Sequence, residues 1–379
     1  MEKKRSGEEP LDLETPFGHV FQDSRGMYMV NKARPAEKTM ITVTADTYPA
    51  AYELALISVW KHGKEIRTHY DQKAGGEYLF PPSREASVMV DIKNPLQEPR
   101  VHRFLPGGFD QLESYRQEVV EGHRDACIAP NEKKWTYTYH ERFFNWNPST
   151  DLHGENRGML LEQGVNQIEK VVYDLKRDLT SKGSQVTTWM PTADPGLESN
   201  RPCLQRMWFR AYEDGDEVVL NTDWEFRSRD TTAWFMNGWA LTDLARYTAD
   251  GLSEEIDRQV RLGRISDFSN SLHFYGHNQA EFESRFKFLQ SDEGFEKRIV
   301  SSDNETVNAV ILEEREKLRV NPHYKSSKDS QRDLAEKIAA DPHATERDKK
   351  FVRDFFPTTA KGAKSWLLGH DQIMDGETV

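Results

Sequence analysis

The sequence predicts an α+β protein in which helices cover a mixed, twisted β-sheet. Two segments, residues 48–64 and 162–179, place apolar side chains at helical spacing. Residues 85–92 alternate as a strand does, and residues 206–228 predict a β-hairpin that turns at Glu213-Asp214-Gly215-Asp216. Because helices and strands follow one another in this order along the chain, we expect α+β or mixed α/β architecture.

Further elements lie on either side of the hairpin. Residues 109–122 predict a helix that ends at Gly122, and the first helix is expected to end at Gly63. The β-branched run 184–190 predicts a strand, and the aromatic-rich run at about 231–250 predicts a long helix. These elements continue the mixture of helix and strand through the middle of the chain.

The two ends of the chain differ in composition from its middle. The first 45 residues are mixed and polar, and we expect a strand or an irregular arm there. The tail is rich in charge and poor in apolar anchors, which favours one or two helices and some disorder. We therefore expect an arm over residues 1–45, one large domain over 46–320 and an extension over 321–379.

Composition excludes several classes of function. With 379 residues and 36% hydrophobic content, the chain can bury a large core, and its net charge of −12 disfavours sequence-independent binding to nucleic acid. A small anion such as a nucleotide could still bind in a local basic pocket. The two cysteines, Cys127 and Cys203, are too few for a disulfide scaffold. No apolar run is long enough to span a membrane, and the N-terminus lacks the apolar core of a signal peptide, so we expect a cytoplasmic protein.

Cys203 is the first candidate functional residue. Pro202 holds the chain extended before it, and a strand follows directly. Cationic side chains near a thiol lower its pKa and raise the fraction of reactive thiolate. Arginines lie nearby in sequence and across the hairpin: Arg201, Arg206, Arg227 and Arg229. Cys203 is therefore a candidate nucleophile, and a buried structural cysteine is the alternative.

Two later motifs have the chemistry of a nucleotide site. Arg227 and Ser228 stand side by side at the end of the hairpin and can donate charge-assisted hydrogen bonds to phosphate oxygens. His273 and Tyr275 alternate in a short apolar run, so that both side chains face the same way and can bind sugar hydroxyls. Each motif alone is also compatible with a solvated strand end.

Taken in order, these motifs resemble those of the thymidylate synthase superfamily. The order is Pro-Cys, a hairpin, Arg-Ser-x-Asp ending at Asp230, Asn237 seven residues further on, and then His-x-Tyr. Three other segments fit the same pattern and extend the resemblance over about residues 50–285: Asn166-Gln167-Ile168, Thr188-Trp189-Met190-Pro191, and Trp135-Thr136-Tyr137-Thr138-Tyr139 followed by Trp146.

The resemblance implies a fold and a chemistry. The fold is thymidylate-synthase-like, in a homodimer that packs sheet to sheet. The nucleophile adds to C6 of a pyrimidine nucleoside monophosphate, and C5 then attacks the iminium form of 5,10-methylenetetrahydrofolate. Cys203 matches the nucleophile, and Arg227 and Ser228 match phosphate ligands. Asp230 matches the residue that helps to position the folate pterin.

The resemblance also implies roles for residues elsewhere in the chain. Asn237 matches the amide that binds the base edge; it suits N3–H and O4 of uracil, and a flipped amide could serve cytosine. Tyr139 matches the tyrosine involved in proton removal from C5, and Glu98 is the best match for the general acid. His273 and Tyr275 match sugar contacts. An early phosphate-binding arginine is Arg67 or Arg84, of which Arg84 is preferred.

Three departures from the family pattern stand out. Lys182, in Ser181-Lys182-Gly183, replaces an arginine pair that reaches across the dimer to the partner's phosphate site, so the bidentate contact is lost. Leu204 follows the nucleophile where histidine is usual. Residues 124–127 align with a stretch that carries two tryptophans in the family, and neither tryptophan is present.

The missing tryptophans bear on the product. An aromatic wall keeps water from the methylene intermediate, so that hydride from the folate reduces it to methyl. A more polar site admits water, which gives 5-hydroxymethyl and releases tetrahydrofolate. We therefore expect a hydroxymethylase acting on dUMP, dCMP or CMP, with reductive methylation to dTMP as the alternative. Lys133 and Lys134 are candidate sugar or phosphate contacts or simply solvated lysines. A non-catalytic nucleotide-binding homologue is the competing class.

Overall fold

One large β-sheet forms the centre of the molecule. The computed structural model describes residues 10–105, 107–125, 128, 136–147, 164–197 and 201–320, and the statements below concern these residues. The strands are β1 (Leu11–Thr15), β2 (Gly18–Asp23), β3 (Gly26–Asn31), β4 (Met40–Ala45), β5 (Lys64–Ile66), β6 (Lys73–Ala74), β7 (Glu77–Tyr78), β8 (Ser83–Ile92), β9 (Val101–His102), β10 (Gln185–Thr187), β11 (Leu204–Asp214), β12 (Glu217–Phe226), β13 (Arg229–Asp230), β14 (Val260–Phe274) and β15 (Ile299–Val300).

The helices pack mainly over one face of this sheet. They are α1 (Tyr48–His62), α2 (Phe109–Glu121), α3 (Tyr139–Phe144), α4 (Gln167–Arg177), α5 (Thr231–Ile256), α6 (Gly276–Leu289), α7 (Phe295–Arg298) and α8 (Glu305–Val320). Helix α1 lies against β3, β4 and β8, and α5 lies against β14. Helices α2 and α4 pack on α5, and α8 packs on α2, so α5 is the centre of the helical layer.

The sheet is mixed, as the sequence predicted. Its main strand order is β1-β2-β3-β4-β8-β14-β12-β11-β10, with β5 and β13 pairing beside it. Most neighbours are antiparallel, but β4 pairs with β8, and β12 and β13 pair with β14, in parallel. The predicted α+β class with a mixed twisted sheet covered by helices is therefore confirmed.

The N-terminal segment is more regular than its polar composition suggested. Residues 11–45 form four strands that extend the main sheet through the parallel pairing of β4 with β8. Their apolar side chains alternate, so that Phe21, Tyr28, Val30 and Ile41 join the core. Short strands with turn residues between them carry weak sequence signals, and the long neighbour β8 supplies the pairing that makes them regular.

Several helices end where capping groups lie. Helix α4 begins later than the predicted residue 162, because the Asn166 side chain accepts a hydrogen bond from the backbone N–H of Glu169. Helix α2 ends at Gly122 in the left-handed conformation, as predicted. Helix α5 runs beyond the predicted residue 250 and ends at Asp257. The predicted strand 184–190 is shortened to the three residues of β10.

A close contact with α1 fixes the position of α5. The Tyr48 hydroxyl donates to the backbone oxygen of Trp234 at 3.0 Å, and the two rings stack. A Cβ atom on Gly238 would lie 1.5 Å from that hydroxyl, so only glycine permits this approach. The side chain that precedes Gly238, Asn237, is thereby held at a fixed depth in the molecule.

A buried carboxylate joins distant parts of the chain. Glu53 on α1 accepts hydrogen bonds from Arg25 at 2.6 Å, from His102 at 2.7 Å and from Arg298 at 2.6 and 3.0 Å. Burial opposes the charge of Glu53, but the hydrogen bonds from His102 and Arg298 and the neighbouring charges lower its pKa to about 2. This network connects the β2–β3 turn, α1, β9 and α7.

Candidate active site

Cys203 lies at the start of β11, directly before Leu204. Its Sγ atom is 3.8 Å from Nη2 of Arg227. The Arg227 guanidinium is held by the backbone oxygens of Pro202 and Arg201, each at 2.9 Å, and its own backbone N–H donates to the oxygen of Cys203. The strand pairing of the hairpin therefore fixes the cysteine and the arginine against each other.

The thiol is more protonated than its arginine neighbours suggested. Burial raises the pKa of Cys203, and the charge of Arg227 and a hydrogen bond with Ser228 lower it only in part. Two of the four expected arginines are engaged elsewhere: Arg206 pairs with Glu225 at 2.8 Å, and Arg229 pairs with buried Asp267 at 2.5 Å. The expectation of a lowered thiol pKa is therefore wrong for this unliganded structure.

Three half-buried tyrosines, Tyr115, Tyr137 and Tyr139, lie close to Cys203, and we call them the tyrosine cluster. The Tyr139 hydroxyl accepts a hydrogen bond from the backbone N–H of Leu204 at 3.1 Å. Its ring is 5.7 Å from that of Tyr137. Burial and the nearby thiol raise the pKa of all three hydroxyls. They are neutral phenols that can donate and accept.

Asn237 meets the tyrosine cluster from α5. Its Nδ2 atom donates to the Tyr115 hydroxyl at 2.7 Å, and 8% of the residue is exposed. Helices α2 and α5 pack along their lengths, which brings these two residues together although 122 positions separate them. The predicted base-binding amide and the predicted nucleophile thus lie around one group of tyrosines.

Glu118 is a buried acid in the same region. It lies one helical turn after Tyr115 and so shares its face of α2. Burial raises the pKa of Glu118 to about 7, although Arg124, whose Nε is 3.4 Å away, lowers it in part. A carboxyl group with a pKa near neutrality is suited to general acid–base chemistry.

Glu98 is placed differently. It is exposed on the loop before β9 and accepts hydrogen bonds from the backbone N–H groups of Arg100 at 2.9 Å and Ser302 at 3.0 Å. Partial burial opposes its charge, but the bonds with Ser302 and Arg100 lower the pKa of Glu98. In the described part of the chain, its hydrogen bonds join it to this loop and to Ser301 and Ser302, and none of them reaches the tyrosine cluster.

Asp230, His273 and Tyr275 come together at the other side of Cys203. Asp230 and His273 are partners in the β13–β14 pairing, and the His273 and Tyr275 rings are 4.5 Å apart. Asp230 caps α5 by accepting from the N–H of Thr232 at 3.0 Å. Burial lowers the pKa of His273 and, with the charge of Asp230, raises that of Tyr275. His273 is therefore a neutral imidazole.

The predicted cationic ligands differ in position. Arg84 is engaged with the backbone oxygen of Trp60 and with Glu65 at 2.9 Å, and it lies opposite Phe274 and not opposite His273. Lys182 is exposed in the turn before β10, as a residue that reaches a partner would be. The structure brings neither of them to Cys203 by a described contact.

Arg67, the alternative to Arg84, lies in the segment between β5 and β6. Its guanidinium stacks 3.8 Å from the centroid of Tyr78 and donates to the backbone oxygen of Phe80 at 2.8 Å. In the same segment, the Tyr70 ring meets the Tyr275 ring edge to face at 5.9 Å.

The loop that follows α2 is polar where it is described. Asp125 accepts hydrogen bonds from Thr138 at 2.5 Å and pairs with Nδ1 of His140 at 2.7 Å. Ala126, Cys127, Lys133 and Lys134 lie outside the described residues. In its described part, the aligned stretch therefore presents the polar side chains of Arg124 and Asp125, which contact Glu118 and His140.

The sequence analysis did not single out two residues of this site, Tyr115 and Glu118, and it gave Tyr137 no role of its own. The helix 109–122 was predicted from its spacing, and Tyr115 and Glu118 stand three positions apart on it. That spacing indicates a shared face, but only the packing of α2 on α5 shows that the face meets Asn237.

Comparison with known proteins supports the resemblance. No family model matches the chain. Three archaeal relatives carry the name "Putative thymidylate synthase". That of Methanococcoides burtonii is 26% identical over 249 residues, which is 65% of this chain and 95% of the relative. That of Methanosarcina mazei is 28% identical over 237 residues, 62% of this chain and 90% of the relative. That of Methanocaldococcus jannaschii is 21% identical over 243 residues, 62% of this chain and 91% of the relative.

The matches extend over almost the full length of these relatives, so they concern a whole fold and not one motif. A mixed sheet, with a cysteine at the start of a hairpin strand and an arginine beside its sulfur, is what the motifs led us to expect. These relatives support the resemblance to the thymidylate synthase superfamily that the order of the motifs indicated. In the described residues, no helix is long and apolar enough to cross a membrane, and no group of three potential metal ligands is arranged for a metal ion.

Proposed function

We propose that the protein transfers a one-carbon unit from 5,10-methylenetetrahydrofolate to C5 of a pyrimidine nucleoside monophosphate. The observation that carries the proposal is the contact of Cys203 Sγ with the Arg227 guanidinium at 3.8 Å. A nucleotide phosphate bound by Arg227 and Ser228 brings the pyrimidine ring over the thiol. His273 and Tyr275 then bind sugar hydroxyls.

The raised pKa of Cys203 fits a nucleophile that is activated by its substrate. Because partial burial raises its pKa, the Cys203 thiol keeps its proton at neutral pH. When the thiolate adds to C6, the negative charge moves into the ring toward C5 and O4, so the sulfur needs its charge only during attack. Arg227 stabilises that charge, and a neutral phenol of the tyrosine cluster relays the C5 proton through water to solvent, accepting one proton as it gives up another.

Glu118 is our candidate for the general acid, in place of Glu98. It is buried, its pKa is about 7, and it lies on the Tyr115 face of α2. Glu98 is exposed, and its pKa is lowered by its hydrogen bonds. A carboxyl group that carries its proton near neutral pH can give it to O4 as charge develops there.

Hydroxymethylation is the outcome that the polar loop after α2 favours. The nucleotide, 5,10-methylenetetrahydrofolate and one water give the 5-hydroxymethyl nucleotide and tetrahydrofolate, with no net oxidation or reduction. The C5 proton leaves, tetrahydrofolate departs from the new methylene, water adds to that carbon, and Cys203 is released. The polar side chains of Arg124 and Asp125, which stand where the family has tryptophans, favour the entry of water for the third of these steps.

The test is a product analysis with the full chain. Purified protein is incubated with methylenetetrahydrofolate and, separately, with dUMP, dCMP and CMP, and the nucleotides are examined by mass spectrometry. We expect a product that is heavier by one CH2O unit from one of them, with no dihydrofolate absorbance. A product heavier by one CH2 unit, with stoichiometric dihydrofolate, would establish reductive methylation instead.

A trapping experiment distinguishes the proposed enzyme from the competing class, a nucleotide-binding homologue without catalysis. With 5-fluoro-dUMP and methylenetetrahydrofolate, an active site of the proposed kind forms a covalent adduct that survives denaturation. Its absence from protein that still binds dUMP would leave only the binding function.

We also propose a homodimer that packs through the uncovered face of the sheet. Met29 and Met89 lie in one row across this face, with relative exposures of 39% and 44%. The same row continues through Phe268, Glu225 and Arg206.

Light scattering should give twice the chain mass, and Met89→Asp, which places a charge in the apolar part of this face, should shift the mass toward one chain. A wild-type monomer that is fully active at nanomolar concentration would contradict the dimer.

A further inference from the structure

We propose that Tyr115 fixes the orientation of the Asn237 amide and thereby sets the choice between uracil and cytosine. The proposal rests on the proposed function, since it assumes that Asn237 binds the base. Tyr115 belongs to none of the motifs that identify the family, and its position on α2 is far in sequence from α5. It is a positioning residue, because it acts through another side chain.

Tyr115 makes the hydrogen bond that holds the Asn237 amide in place. Asn237 Nδ2 donates to the Tyr115 hydroxyl at 2.7 Å. Among the described residues, this is the single hydrogen bond of the Asn237 side chain, so Oδ1 keeps no partner that would hold the amide plane. The backbone of Asn237 cannot shift to compensate, because Tyr48 packs against Gly238 directly after it.

The Asn237 carboxamide can form hydrogen bonds with Tyr115 and with a pyrimidine base at the same time. It has one acceptor oxygen and two N–H groups, one beside the oxygen and one pointing away from it. A carboxamide that gives its outward N–H to Tyr115 keeps a complete donor–acceptor edge for two parallel hydrogen bonds. Tyr115 therefore orients Asn237 without using the edge that binds the pyrimidine.

The two bases require opposite orientations of that edge. Uracil presents a donor at N3 and an acceptor at O4, whereas cytosine presents an acceptor at N3 and a donor at N4. To change from one to the other, the Asn237 amide must turn by half a rotation, which brings Oδ1 to face Tyr115. The hydrogen bond must then reverse, with the phenol turning its proton toward Oδ1 of Asn237.

The surroundings of Tyr115 oppose this reversal. Burial keeps the hydroxyl neutral by raising its pKa, and the charges of Glu118 and Cys203 act on it from within the site. The negative charge of Glu118, when that residue is ionised, attracts the phenol proton and so favours the accepting role of Tyr115 toward Asn237. Tyr115 therefore sets the free energy needed to turn the amide. That free energy is the difference in binding free energy between the two bases.

The experiment compares the two bases in wild-type protein and in two matched variants. Dissociation constants for dUMP and dCMP are measured by calorimetry without folate, and kcat/KM for both nucleotides is measured with methylenetetrahydrofolate. Tyr115→Phe removes the hydroxyl that holds Asn237. Tyr137→Phe removes a buried hydroxyl of the same tyrosine cluster that has no contact with Asn237.

We expect Tyr115→Phe to lower the ratio of the preferred to the disfavoured base by roughly five- to tenfold, the usual effect of one neutral hydrogen bond. Tyr137→Phe should change the rates for both bases alike and leave their ratio within about twofold of wild type. An unchanged ratio in Tyr115→Phe, or an equal fall in both variants, would overturn the role of Tyr115. If wild-type protein binds neither nucleotide, the proposed function itself fails, and the calorimetry shows this before any variant is compared.

Discussion

Replacing Cys203 by serine is expected to abolish turnover while leaving nucleotide binding intact. A serine hydroxyl at the start of β11 is a much weaker nucleophile than a thiolate, so the addition to C6 does not occur at a useful rate. We expect kcat to fall by at least about 10³-fold, as is usual when a covalent nucleophile is removed. The dissociation constant for the nucleotide should stay within about threefold, because Arg227 and Ser228 hold the phosphate.

The covalent step gives a direct measurement for this variant. Wild-type protein with 5-fluoro-dUMP and methylenetetrahydrofolate should gain the mass of both ligands under denaturing conditions, and Cys203→Ser should gain neither. Arg227→Lys serves as a comparison, since it keeps a charge near the sulfur but loses the fork that binds the backbone of Pro202 and Arg201. It should weaken phosphate binding and still form the adduct slowly. Loss of nucleotide binding in folded Cys203→Ser would mean that the pocket lies elsewhere.

Glu118→Gln should cause the second largest effect. The amide cannot give a proton to O4, and loss of a general acid typically costs about 10²- to 10⁴-fold in rate. In wild-type protein the pH dependence of kcat should contain a limb near pH 7, from the raised pKa of Glu118, with the rate falling as the pH rises through it. That limb should be absent in Glu118→Gln.

Stability provides an independent check on the same residue. Because the folded protein raises the pKa of Glu118 from 4.5 to about 7, this group contributes stability below pH 4.5 that is lost as the pH rises through 7. The melting temperature of Glu118→Gln relative to wild type should therefore increase between pH 5 and pH 8.

Glu141→Gln is the matched control for both measurements. Glu141 is also largely buried, and burial raises its pKa to about 7, but it faces Arg142 and Asp125. It should show the stability change and lose less than tenfold in rate. Equal loss of rate in both variants would remove Glu118 from the mechanism.

The class of fold and the main strands around the candidate site could be predicted from the sequence. Helix α2 and the hairpin β11–β12 were predictable, because apolar spacing and a turn containing Gly215 are local signals. The N-terminal strands were less predictable, since their regularity depends on β8, more than 40 positions later. Neighbours in sequence were also a poor guide to charge around Cys203: Arg206 faces Glu225 across the hairpin and not the thiol.

The choice between Glu98 and Glu118 as the proposed general acid shows the same limit. Glu98 was chosen from four consecutive residues, but its hydrogen bonds are made with Ser301 and Ser302, about 200 positions away. Glu118 lay within a correctly predicted helix, and nothing local distinguishes it from its exposed neighbour Glu121. Burial decides between them, and burial is a property of the whole fold.

The carboxylate of Glu53 has a consequence for how the chain is made. Arg25 and His102 leave the ribosome early, whereas Arg298 follows some 245 residues after Glu53. A nascent chain can therefore assemble the first strands and α1 around an incompletely neutralised acid, and only the emergence of α7 completes the set of donors. A late element of the described chain thus completes a network that begins near its start, which couples the stability of the N-terminal strands to the folding of α7.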